Sequence, residues 1–142
     1  MLTKEKRDVS TRISVALPLR IDARDGAYGL NKNMLQVAEQ NLKMVILTSP
    51  GERIMFPEFG VGVRSYLFEQ NSSGVTEAIS QRIRQQVAKY LPYIKLLNLN
   101  VFSPEVQFAQ PGTTDKTTII IKIRYSVPSA SVVADLTIPV SS

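Results

Sequence analysis

Apolar residues recur along this chain in two rhythms, and the rhythms divide it into strands and helices. Ile13, Val15, Leu17 and Leu19 alternate with Arg12, Ser14, Ala16 and Pro18, so Ile13 to Ile21 reads as a half-buried strand. Pro18 lacks an amide hydrogen, and this strand should therefore lie at an edge or end there. Asp25-Gly26 marks a turn within the loop from Asp22 to Leu30. A helix follows from Asn33 to Leu47, where Leu35, Ala38, Leu42 and Val45 form one apolar stripe. Asn33 can cap it with Gln36 in capping-box position, and Pro50-Gly51 stops it.

The longest helix is predicted over Ser73 to Leu91. Val75, Ile79, Ile83, Val87 and Leu91 stand four apart, with Ser73 as cap and Pro92 forbidding continuation. Its opposite face carries Arg82, Gln85, Gln86 and Lys89, the pattern of a solvated or docking face. The C-terminal half alternates again: Leu97, Leu99 and Val101; then Ile119, Ile121, Ile123, Tyr125 and Val127; then Ala134, Leu136, Ile138 and Val140. Pro111-Gly112 lies between the first two strands and Pro128 between the last two. The expected fold is α+β, a small and mostly antiparallel sheet with two main helices packed on one face. Pro139 interrupts the last strand's hydrogen bonding on one side, which marks it as an edge open to strand addition.

Composition narrows the chemistry. At 142 residues with 44% hydrophobic and 20% charged content, the chain is long enough to bury one core. We expect a flexible basic arm over residues 1–12, holding Lys4, Lys6, Arg7 and Arg12, and a single domain over residues 13–142. The formal charge is +5, but the remaining cations are scattered among acids and the aromatics do not interleave with them. That pattern argues against nucleic-acid binding and suits an acidic protein partner. No apolar run approaches a membrane span. The chain has neither cysteine nor histidine, which removes disulfides, thiolate or imidazole metal ligands and the serine–histidine triad. Gly60-Val61-Gly62 lacks the third glycine of a dinucleotide loop and suits a close backbone approach instead.

Glu52 and Glu58 are the obvious pair for glycoside hydrolysis, which needs two acids about 5–10 Å apart and one raised pKa. Each also has a structural role open to it. Glu52 can accept from backbone amides after the Pro-Gly turn, and Glu58 can clamp the loop by pairing with Arg53. Met44, Met55, Phe56 and Phe59 are expected to pin this loop to the helices as core contacts.

The run from Asn41 to Gln70 orders these parts as helix end, Pro-Gly turn, Gly51-Glu52-Arg53, the corner Pro57-Glu58-Phe59-Gly60, and a short helix closing on Leu67-Phe68-Glu69. This order resembles the baseplate wedge proteins of contractile phage tails. These gene-twenty-five-like sheath initiators also supply a baseplate subunit of type VI secretion machines. The resemblance covers about Leu17 to Val140. It implies a structural protein of the virion tail, made in the host cytoplasm, with no enzymatic activity and no cofactor. It also implies a handshake-like sheet whose edge strand, with Leu136, Ile138 and Val140, receives an arm of the tail sheath protein.

Other wedge proteins forming a helical core bundle would be partners in a sixfold arrangement, with tube or hub proteins nearby. Many members dock on that bundle through Glu-Pro-Arg at the end of the long helix. Here the matching residues are Leu91, Pro92 and Tyr93, followed by Ile94, which turns a charged clamp into an apolar and aromatic one. The same family has carried a lysozyme-like label, so peptidoglycan cleavage through Glu52 and Glu58 is the alternative.

Overall fold

The computed structural model describes residues 13–22, 25, 27–68, 73–102, 118–128 and 131–141. The expected basic arm, Gly26, Glu69 and the Pro111-Gly112 loop lie outside these residues. The main sheet has three antiparallel strands in the order β3 (Lys95–Phe102), β4 (Thr118–Val127) and β5 (Val132–Ser141). A two-residue ribbon, β1 (Ser14–Val15) with β2 (Leu30–Asn31), stands apart from it. The helices are α1 (Met34–Leu47) and α2 (Ser73–Tyr90), with a 3₁₀ helix at Val63–Phe68 between them.

The central strand explains the core. Ile119, Ile121, Ile123, Tyr125 and Val127 of β4 are buried on one face, beside Leu136, Ile138 and Val140 of β5 and Leu99 of β3. Ala38, Leu42, Val45 and Ile46 of α1 and Ile79, Ile83 and Val87 of α2 complete the same cluster. Each fully buried Leu or Ile contributes about 1.5–3 kcal/mol, so one shared apolar layer is sufficient to hold helices on that face. The opposite face is polar: Arg124 and Asp135 stand opposite each other and form a two-pronged pair at 2.7 and 3.0 Å.

The α1 start follows the expected cap, with Asn33 Oδ1 accepting from Leu35 N at 3.0 Å. Gln36 reaches one residue further than a capping box requires and accepts from Lys32 N instead. Thr48 ends α1, its N–H donating to the Met44 carbonyl. Ser73 is the first residue of α2 rather than its cap.

Two expected strands differ. In β3 the register slips between Leu96 and Asn98, so Leu97 bulges out of the ladder and is exposed rather than alternating with Leu99 and Val101. The first strand pairs only over Ser14–Val15, and Ile13, Val15, Leu17, Leu19 and Ile21 are between 41% and 88% exposed. Their alternation is present, but polar contacts hold the segment to α1. Gln40 accepts from Leu17 N at 2.9 Å and donates to Val15 O at 3.2 Å, while Asn31 bonds both Gln40 and Ser14. Among the described residues no helix is long and apolar enough to cross a membrane.

Candidate functional site

The connection between Thr48 and Gly62 folds back along the end of α1 and satisfies its terminal carbonyls. Val61 N donates to Val45 O and Gly62 N to Thr48 O, both at 2.9 Å. This approach is possible only without a side chain at residue 60. Gly60 has φ +104°, and a Cβ there would stand 2.2 Å from the Thr48 carbonyl oxygen. Gln86 of α2 locks the corner: its Oε1 accepts from Gly60 N at 2.9 Å and its Nε2 donates to Glu58 O at 3.1 Å. Gln86 is only 8% exposed, which corrects its placement on a solvated face. The signal was available in the spacing, because residue 86 lies three beyond Ile83 and seven beyond Ile79, on the buried seam.

The expected Arg53–Glu58 clamp does not form. Arg53 instead stacks 4.0 Å from the centroid of the Phe59 ring, and Phe59 packs edge-on against Tyr90 at 4.9 Å. Glu58 meets Lys89 of α2 at 2.8 Å. Glu52 takes its structural role, its Oε2 accepting from Ser49 N at 3.0 Å across the turn, and Gly51 N donates to Pro57 O at 2.8 Å.

This arrangement is poorly suited to acid catalysis. The hydrogen bond and charge of Lys89 hold the Glu58 carboxyl below its ordinary range, whereas a glycosidase acid needs the opposite shift. Both glutamates are exposed. The adjacent hollow of about 250 Å³, lined by Asn41, Met44, Phe56, Tyr90 and Leu91 among others, contains neither of them. No group of three or more potential metal ligands occurs among the described residues.

That hollow lies beside the junction after α2. Leu91 and Ile94 are buried, and Ile94 N closes the turn on Leu91 O at 3.0 Å. Pro92 is exposed, and the half-buried Tyr93 accepts at its hydroxyl from Asn41 Nδ2 at 2.7 Å. Of the four residues expected to dock a core bundle, Pro92 is exposed and Tyr93 is half-buried against the core. Phe56 shares the hollow with Leu91, and the tip it belongs to was missed by sequence reasoning. Ile54, Met55 and Phe56 are 95%, 84% and 58% exposed, so Met55 and Phe56 do not pin the loop as core contacts. Met44 and Phe59 do belong to the core cluster or pack against it. Three consecutive apolar residues inside a loop carry no period from which burial could be inferred, and that run was itself the available signal.

The outer edge of β5 offers a second surface. Leu136, Ile138 and Val140 point their side chains into the core, so an added strand would meet the backbone of β5 rather than these side chains. They also show that β5 is part of the core, not a detachable tail. Pro139 stands opposite Ile120 in an unshifted register. A proline has no N–H to exchange with its neighbour, so this pair is a non-hydrogen-bonded one, and residues of the same parity turn their N–H and C=O outward. Val133, Asp135 and Thr137 therefore present both groups at the edge. Among the described residues, no backbone hydrogen bond from outside the ladder reaches Val132–Ser141.

Comparison with known proteins places the chain in a family. The family model described as baseplate wedge protein gp25 matches residues 32–131, well over half the chain. The baseplate wedge protein gp25 of Enterobacteria phage T4 is 30% identical over 93 residues, covering 66% of this chain and 64% of that protein, just under two thirds of its length. Two solved structures share the fold. A subunit of the anti-feeding prophage baseplate matches with TM-score 0.63 at 21% identity, over 80% of this chain and 82% of its own. A Geobacter sulfurreducens protein provisionally named a tail lysozyme also matches with TM-score 0.63, at 20% identity, over 79% of this chain and 94% of its own. With the match spanning α1, the Thr48–Gly62 connection, α2, β3 and β4, the chain belongs to the baseplate wedge protein gp25 family.

Proposed function

We propose that this protein is a structural subunit of the tail baseplate in a contractile injection machine, and that it starts the sheath by receiving a sheath arm on β5. The observation that carries the role is family membership across residues 32–131. Strand addition is supported by the open outer edge of β5, whose outward backbone groups have no partner from elsewhere among the described residues. Docking to the helical bundle of other wedge proteins falls to exposed Pro92, half-buried Tyr93 and the neighbouring Ile54–Met55–Phe56 tip. Burial of three exposed apolar side chains on a partner is a favourable use of that surface. The subunit works in the virion tail and in sixfold rings, and it is not a muramidase. The lowered carboxyl of Glu58 and the backbone contact of Glu52 support that part of the reading.

The test is purification of the tagged full chain from its producing cells, followed by mass spectrometry and electron microscopy of what accompanies it. Sixfold baseplates containing sheath and other wedge proteins are expected. A partner-free monomer that clears peptidoglycan, with clearing lost in Glu52→Gln, would overturn the proposal.

A further inference from the structure

Strand addition at β5, on which this inference rests, leaves open where the added strand begins and ends. The ladder between β4 and β5 runs without a shift from Thr118↔Ser141 to Val127↔Val132. Parity is therefore constant along β5. Residues 132, 134, 136, 138 and 140 exchange hydrogen bonds with β4, and residues 133, 135, 137, 139 and 141 face outward. Three successive outward residues, Val133, Asp135 and Thr137, each offer a donor and an acceptor. At Pro139 the row of donors stops, and only Ser141 lies beyond it before the described strand ends.

The competing edge is less suitable. The bulge at Leu97 in β3 changes parity in mid-strand, so among the described residues no outward row of equal length survives there.

We infer that the incoming sheath arm seats on Val133–Thr137 and that Pro139 ends its ladder, fixing the register in which the arm binds. The register matters because a one-residue slip would turn every side chain of the arm to the wrong face. Arm residues beside Ala134 and Leu136 lie on the face that covers the core and must be apolar. Those beside Val133, Asp135 and Thr137 lie on the outer face, where Asp135 is already held by Arg124 at 2.7 Å. The occupant is thus a short extended segment with apolar residues at alternate positions and no requirement for charge opposite Asp135.

Hydrogen exchange read residue by residue tests this, comparing the free protein with the same protein in intact tails. The amides of Val133, Asp135 and Thr137 should exchange at least about tenfold more slowly in the tail, while that of Ser141 should be unchanged. In Pro139→Val, protection should extend through residue 139 to Ser141. Protection of Ser141 in the natural protein overturns the inference, as does a valine variant whose protected stretch still ends at Thr137. Exclusion of a well-folded valine variant from tails also overturns it, because an extra donor only lengthens the ladder. A different failure is distinguishable: if the protein is present in tails and none of the outward amides gains protection, strand addition itself is wrong.

Discussion

Between Thr48 and Gly62 the polar groups find their partners within the fold. Glu52 holds Ser49, Gln86 holds Gly60 and Glu58, Gly51 holds Pro57, and the end of α1 is closed by Val61 and Gly62. Along β5 the reverse holds, because a row of backbone donors and acceptors faces outward with no bond from elsewhere among the described residues. The first region has the look of an active site, with two glutamates, an arginine and aromatic rings. The second has no reactive side chain at all. Their difference shows that chemical variety in a loop can serve just to hold the loop, while a plain strand keeps backbone bonding capacity open at its edge.

The sharpest way to break the comparison is at Gly60. In Gly60→Ala the new Cβ has nowhere to go, since the Thr48 carbonyl is backbone and cannot yield. Destabilisation of about 4 kcal/mol or more is expected, seen as loss of soluble protein or of a cooperative melt. Gln86→Leu should come next. It keeps an apolar volume on the seam but strands the buried Gly60 N–H, at about 2 kcal/mol and a fall of several degrees in Tm.

At the β5 edge the expected effects are on assembly and not on folding. Thr137→Pro removes an outward donor of the same parity as Pro139, so Tm should change little while sheath no longer assembles on the baseplate. Leu136→Pro, one residue away, removes a donor to β4 and should unfold the protein. Equal folding defects in the two variants would mean the parity is misassigned.

The smallest effect belongs to Glu58→Gln. With its carboxyl held below the ordinary range by Lys89, the folded state is favoured above the unfolded carboxyl's pKa, and that gain is lost as pH falls through the folded value. Lys89 is raised by the same partner, so its share is present at neutral pH and lost only at strongly alkaline pH. Because both side chains of the pair are exposed to solvent, the variant should flatten a small acid-side drop in Tm and change little else.

Periodicity made much of this fold legible. The stripes of α1 and α2 and the alternation of β4 and β5 are consequences of burying one face, and burial imposes a period. Pro139, read as an edge marker, is at an edge in the structure. The ribbon at Ser14–Val15 shows the limit of that logic: a strand pattern states which residues would share a face, not whether the rest of the chain supplies a surface to cover it. The charge pairs were illegible for a different reason. Arg53 and Glu58 are neighbours in sequence, but Phe59 and Lys89 are better placed across the fold, and only the packing of α2 on the loop decides that. At the junction, Leu91 and Ile94 became core because α2 ends by turning inward, which left Pro92 exposed and Tyr93 half-buried.

Electron cryomicroscopy of the intact tail, at a resolution that traces the backbone beside β5, tests the central claim most directly. The account predicts a strand from a sheath subunit hydrogen-bonded along Val133–Thr137. A β5 edge that is bare, or that is covered by any chain other than sheath, would contradict it.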